Sequence, residues 1–218
     1  VTTMATTWHT LATGDASLLK RQMEAVCALP KDFLFLNYLR CHDDIGWGLD
    51  YPWLQERFHI FEVAHKKYLN DWFTSRWPGS PARGELYNDD PRLGDARLCG
   101  TTASLCGVEA ADFEGDPFKL ERAVSCDVTL HAWMLSQSGI PVIYSGDEVG
   151  RFNDYTYHGD PDRREDSRYL HRGAFQWGLA ELRREPGTYQ EKLFQGLRRL
   201  ETLRAGEPCF DAGADVRV

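Results

Sequence analysis

The chain has 218 residues, 42% hydrophobic and 27% charged, enough for one large packed domain or a domain with an insertion. Seven Trp, nine Tyr and eleven Phe exclude a disordered chain. A formal net charge of −8 disfavours nucleic acid and anionic membrane surfaces as partners and suits a neutral ligand.

In chain order, "VTTMATTWHT" opens without an initiator Met and reads like the inside of an enzyme. Residues 16–28 place Leu18, Leu19, Met23, Val26 and Cys27 at helical intervals behind Asp15, a capping residue. The apolar run 33–39 predicts a buried strand, and it leads into His42 and two adjacent carboxylates, Asp43 and Asp44. Residues 54–73 predict a helix with Leu54, Phe58, Phe61, Val63, Ala64 and Tyr68 inward. Three Pro and three Gly within 74–98 predict a long irregular loop.

Asp116 as cap and Pro117 at the first helical position start a helix that runs to Gly139, where it stops. "IPVIYSG" (140–146) predicts a second short buried strand. Asp147 and Glu148 follow it, and their simplest role is to cap a helix or bind loop amides. Residues 188–205 predict a last amphipathic helix, and "FDAGADVRV" ends where a further strand would begin. No apolar run approaches membrane-spanning length and no signal peptide is visible. Cysteines at 27, 41, 99, 106, 126 and 209 form no CxxC or metal-finger spacing, so reduced thiols of a cytoplasmic protein are expected. There is no GxGxxG or P-loop pattern, and the His and Asp residues of "NDYTYHGDPDRRED" have no diagnostic metal spacing, so neither cofactor nor metal is expected.

Two buried strands separated by a helix suggest parallel βα units. Both strands carry polar residues at their C-terminal ends, where a (β/α)8 barrel has its active site. A complete barrel takes about 250 residues and eight strands. The expected fold is therefore α/β: the last two βα units of a TIM barrel, with an inserted, mainly helical and irregular subdomain. The expected division is 1–49 for helix 6 and strand 7 of the barrel, 50–105 for the insertion, 106–206 for helix 7, strand 8 and helix 8, and 207–218 for the start of a truncated C-terminal region.

"NYLRCHDDIGW" (37–47) resembles the seventh-strand motif of the α-amylase family of glycoside hydrolases and transglycosidases, in the doubled-Asp form of amylosucrases. "HTLAT" (9–13) is similar to the segment after the sixth strand, and "ARLCGTTASL" (96–105) to the end of the inserted domain. "GIPVIYSGDEVGRFND" (139–154) is similar to the eighth strand and its loop, and "EDSRYLHR" (165–172) to the Asp-Ser-Arg stretch beyond it. The resemblance covers nearly the whole chain and its motifs stand in family order.

It implies an enzyme that transfers glucosyl from sucrose to an α-glucan with retention, releasing fructose. Such chemistry uses a nucleophile and an acid/base carboxyl. Its oxocarbenium-like transition state gains from further negative charge. By the resemblance, Asp43 is that stabilising carboxylate, His42 binds glucosyl hydroxyls, and Asp44 faces the neighbouring fructose or acceptor subsite. Arg168 would pair with an Asp from an upstream loop and close the pocket. Arg97 and Lys66 would handle the acceptor. Lys66 stands where amylosucrases carry Arg, and keeps the charge without the planar fork. The family's nucleophile and acid/base precede the position of Val1. The isolated chain is therefore expected to be inactive, a fragment whose partner is the missing N-terminal part, or else to self-associate through open strand edges. A sucrose hydrolase or α-glucosidase stays open as an alternative, and so, in another class, does a non-catalytic carbohydrate-binding half-barrel.

Overall fold

The computed structural model describes residues 3–30, 32–211 and 214. Half of the expected region 207–218 therefore lies outside the described residues; the described part holds a short 3-10 turn at Pro208–Phe210. The structure is mixed α/β, rich in helix and poor in strand.

The chain opens with α1 (Met4–Thr13), which ends at Gly14 with a left-handed φ of 69°. Helix α2 (Ser17–Cys27) follows, and Asp15 accepts the Ser17 amide at 2.7 Å. Next come two strands, β1 (Leu36–Asn37) and β2 (Ile45–Gly46).

The helix expected over 54–73 is two helices, α3 (Tyr51–Phe58) and α4 (Glu62–Phe73). His59 takes a left-handed φ of 57° between them and re-aims the second. Phe58, Phe61 and Val63 consequently face outward, while His65, Leu69, Asn70 and Phe73 are buried. The irregular loop expected over 74–98 holds an antiparallel hairpin, β3 (Glu85–Asp90) and β4 (Asp95–Cys99), and β2 pairs with β4 on its other side. Residues 50–105 are thus not merely helical and irregular: they carry a hairpin, which β2 extends to a three-stranded sheet. In β4 the buried Ala96 and Leu98 alternate with the exposed Asp95 and Arg97, the period of a half-buried strand.

Two short helices, α5 (Thr102–Leu105) and α6 (Val108–Glu114), precede the long α7 (Pro117–Ser136). Asp116 caps α7 by accepting the Phe118 and Lys119 amides. The helix ends before Gly139, whose role differs from the expected one. Its φ is 106°, and a Cβ there would lie 2.4 Å from the Phe35 carbonyl oxygen, so its bare backbone lets the chain close on β1. Strand β5 (Ile140–Pro141) then runs parallel to β1, with Leu36 opposite Ile140. The chain finishes with α8 (Trp177–Glu181) and α9 (Tyr189–Gly206), the latter capped by Thr188 and packed on α7.

The two expected buried strands are corrected. Both are short, and Phe33, Leu34, Leu36, Ile140 and Val142 are exposed. An apolar run is buried throughout only when layers cover both faces of its sheet. The β1–β5 pair turns Asn37 and Leu39 inward and leaves the alternate side chains outward.

The largest core cluster joins α1, β2 and α4 through Trp8, Trp47 and Phe73. The Trp47 ring stacks on Phe73 at 5.6 Å, and Trp8 meets Phe73 edge-on. Both indole N–H groups are satisfied, Trp8 by the Leu39 carbonyl and Trp47 by Asn70. Beside this core His9 and His65 face each other with ring centres 5.0 Å apart. Both nitrogens of His9 and Nε2 of His65 are buried without a hydrogen-bond partner.

At the end of β1, Arg40 is 2% exposed and donates from Nε and Nη2 to Asp147 Oδ1 at 3.2 and 3.0 Å. Asp147 Oδ2 accepts the Thr102 hydroxyl at 2.9 Å. The ring of Tyr144 lies 4.4 Å from the guanidinium. A buried pair deprived of one member leaves an uncompensated charge. Asp147→Asn is expected to destabilise the fold by about 3–5 kcal/mol in urea unfolding, and Arg40→Met/Asp147→Leu together by clearly less.

Burial, and then repulsion by His65, pushes the His9 pKa from 6.5 down to about 4; burial also lowers His65. Depressed folded-state values mean stability that is complete above pH 6.5 and is lost as pH falls toward 4. Melting temperature should decline across that window, and His9→Phe should flatten the decline. An unchanged slope in the variant would assign the loss to other groups.

Candidate functional site

The polar segment after β1 lies against the loop that follows β5. Arg40, locked on Asp147, fixes where residues 41–44 leave the strand. The 3-10 segment Ser167–His171 then crosses above them, capped by Asp166, which accepts the Arg168 amide.

Arg168 is the hub. Its Nε and Nη2 grip Asp166 at 2.7 and 2.8 Å, a two-pronged contact that fixes the guanidinium plane. From that position Nη1 reaches Asp43 Oδ1 at 3.3 Å. The Tyr87 ring of β3 supports the guanidinium at 4.5 Å. Arg172 adds a second cation, 3.8 Å from both Asp43 and Asp166, and its Nε donates to the His42 carbonyl. His171 is buried, and its Nδ1 accepts the Gly100 amide at 3.2 Å. Burial first, and then the surrounding positive charge led by Arg40, lowers its pKa to about 3, so the ring is neutral. Its Nε2 proton therefore faces the His42 carbonyl at 3.3 Å.

On the other flank, Arg97 of β4 has its Nε 4.0 Å from Asp44 Oδ1. It crosses directly over Gly46, where a Cβ would lie 2.0 Å from Nη1. Three carboxylates (Asp43, Asp44 and Asp166) thus interleave with three guanidiniums (Arg97, Arg168 and Arg172).

The adjacent carboxylates differ in character. Partial burial works against ionisation of Asp43, but the Asp44 amide and the Arg168 and Arg172 guanidiniums outweigh it and hold the pKa below the usual range. Burial, and then the charge of Asp43, pushes Asp44 upward against the pull of Arg97 and Arg168. Neighbouring groups driven apart in this way suit different tasks: Asp43 keeps a negative charge, and Asp44 takes up a proton more readily.

The structure brings together Asp43, Asp44, Arg97 and Arg168 of the residues singled out in the sequence. His42 stands exposed at the same turn, held by its backbone carbonyl. Within this chain Arg168 pairs with Asp166 and Asp43. Lys66 is not brought in: it sits 2.8 Å from Glu62 and 3.7 Å from Asp95, above the Tyr51 ring. Glu148 accepts the Gly146 amide, a loop contact of the kind expected, whereas Asp147 is the buried partner of Arg40 and caps nothing. Sequence reasoning missed Arg172, Asp166 and Tyr87. For Arg172 and Asp166 one signal was present, since both fall within the stretch "EDSRYLHR" (165–172).

Among the described residues no group of three or more His, Cys, Asp or Glu side chains is placed to hold a metal ion, and no helix is long and apolar enough to cross a membrane. All six cysteines are free thiols. No protein-family model matches the chain.

Arg168→Gln removes the nearest positive charge from Asp43 and Asp166. Both carboxyl groups should then titrate at higher pH in carbon-13 NMR, with a small change in melting temperature because Asp43 is half exposed. An unmoved Asp43 titration would show that its backbone contact with Asp44 alone sets the value.

Proposed function

We propose that this chain carries the charge-stabilising half of a glucosyl-transfer site of the α-amylase family, amylosucrase-like, with sucrose as donor and an α-glucan as acceptor. One observation carries this reading: an ionised, half-exposed Asp43 in the segment that follows the parallel strand β1, oriented by a fixed guanidinium beside a second carboxylate.

A developing oxocarbenium ion is flat and cationic, and a preorganised carboxylate stabilises it more than it stabilises neutral sucrose. Arg168 and Arg172 hold Asp43 ionised and aimed. The exposed His42 imidazole supplies donor and acceptor atoms for the glucosyl hydroxyls. Asp44, with its raised pKa, and Arg97 offer hydrogen bonds to the sugar on the other side of the scissile bond. Lys66, engaged by Glu62 and Asp95, takes no part. The parallel β1–β5 pair suits the seventh and eighth strands of a barrel. Retaining transfer also needs a nucleophile and an acid/base. This reading assigns neither role to a residue of this chain, so the chain by itself binds without turnover.

The test uses 1-deoxynojirimycin, a cationic glucosyl mimic, and sucrose, each titrated into the 218-residue chain by amide NMR. Both should shift the amides of residues 42–44 and 168–172. Asp43→Asn should weaken the cationic mimic at least tenfold and sucrose much less. Assays for fructose should stay blank. Equal weakening of the two ligands, or fructose release by this chain, sinks the assignment.

A further inference from the structure

The six thiols are not equivalent, and two of them meet. Cys106 closes α5 and lies almost fully enclosed in the largest core cluster. Cys126 lies in α7, partly buried, and packs against the same cluster. Helices α5 and α7 are in contact, and the two thiols hydrogen-bond to each other across that contact. A disulfide requires sulfurs that can close to about 2 Å, and thiols already in contact need little movement to do so.

The pair is asymmetric. Burial, and then the contact with Cys126, pushes the Cys106 thiol well up, so it keeps its proton. The hydrogen bond from Cys106 outweighs burial and the charge of Asp127 and lowers Cys126. The donor is thus the enclosed Cys106, and the acceptor is Cys126, the member with access to solvent. An attacking thiol needs thiolate character and access, whereas the thiol that completes a bridge needs only proximity. Cys126 meets the first two conditions and Cys106 the last. Cys99, by contrast, is fully buried and held protonated by burial and by the charges of Asp44 and Asp166, and Cys41 Sγ accepts the Asp43 amide.

We propose that Cys106 and Cys126 form a redox-active dithiol that hydrogen peroxide closes to a disulfide and small thiols reopen. The Cys126 thiolate attacks one peroxide oxygen and the O–O bond breaks. The departing hydroxide takes up the proton that Cys126 gave up and leaves as water, and Cys126 becomes a sulfenic acid. The Cys106 sulfur then attacks the Cys126 sulfur, the S–O bond breaks, and the Cys106 proton leaves with the hydroxide as a second water. Two thiols lose two electrons and two hydrogens, and the peroxide takes them up. The bridge ties the end of α5 to α7. Thr102, at the start of α5, donates to Asp147, so the same bridge braces the Arg40 joint. None of this depends on the glucosyl-transfer reading.

The test treats the whole chain with hydrogen peroxide, blocks remaining thiols by alkylation, and maps the peptides by mass spectrometry. The expected product is a peptide pair linked through Cys106 and Cys126, two hydrogens lighter than the dithiol and released by dithiothreitol. The oxidised chain should melt about 5 °C higher than the reduced one. In Cys106→Ser, dimedone should label Cys126 as a stalled sulfenic acid. In Cys126→Ser, peroxide should consume the Cys106 thiol roughly tenfold more slowly than in the parent. Bridges between other cysteines in place of this one overturn the proposal, as does a Cys106–Cys126 dithiol that survives after the exposed Cys209 has been oxidised. Unlabelled Cys126 in folded Cys106→Ser overturns the order of the two steps, and an unraised melting temperature overturns the bracing of α5. Should Cys106→Ser lose its folded spectrum, the peptide map of the parent decides alone.

Discussion

The buried contact between Arg40 and Asp147 is the constraint on which the rest of the site depends. Both side chains are almost fully enclosed, and each belongs to a segment that leaves a strand of the parallel pair. Joining them fixes the exit of residues 41–44 relative to the loop after β5. Thr102 completes the joint from the start of α5, so the three-stranded sheet is tied to the same point through β4. Removing charges from water costs several kcal/mol, recovered only with good geometry and further hydrogen bonds. The two-pronged contact, the hydroxyl and the Tyr144 ring provide these. Such a joint acts as a locator more than as a source of stability.

Around that locator the surface charges are ordered by sign. Arg168 has two distinct duties: its fork on Asp166 sets its own position, and its remaining nitrogen polarises Asp43. Arg172 and the neutral His171 hold the His42 carbonyl and so fix the turn that carries the carboxylates. The asymmetry between Asp43 and Asp44 follows from placement. The first faces two guanidiniums across the loop; the second is more buried, lies beside the charge of Asp43, and has only the weaker pull of Arg97 and Arg168.

Much of the helical scaffold was legible in the sequence because its signals are local. Asp116 followed by Pro117 and Asp15 before α2 are end markers that act within three residues. The strands were less legible. An apolar run announces burial only if other layers exist to cover it, and Phe33, Leu34 and Leu36 have water on their side. The hairpin of β3 and β4 was hidden by its polar composition, "ELYNDD" against "DARLC", in which few positions are core-facing. The break at His59 was hidden because a non-glycine residue takes up the left-handed turn. For the site, the contiguous His42, Asp43 and Asp44 and the Arg168 segment could be read as motifs. Their mutual contact could not, nor could the support from Tyr87 and Arg172, because these pairings span long stretches of chain.

That span has a consequence for how the molecule comes into being. Asp43 and Arg168 are 125 positions apart, and β1 meets β5 across a comparable distance. During synthesis the doubled carboxylate leaves the ribosome long before any arginine that neutralises it. Until the loop after β5 arrives, Asp43 and Asp44 repel each other and Arg40 lacks its buried partner. Closing a loop of that size carries an entropy cost that is met only when several contacts form together. The charge cluster is therefore a late and cooperative event in assembly, and its completion reports that the segments after β1 and β5 have found each other.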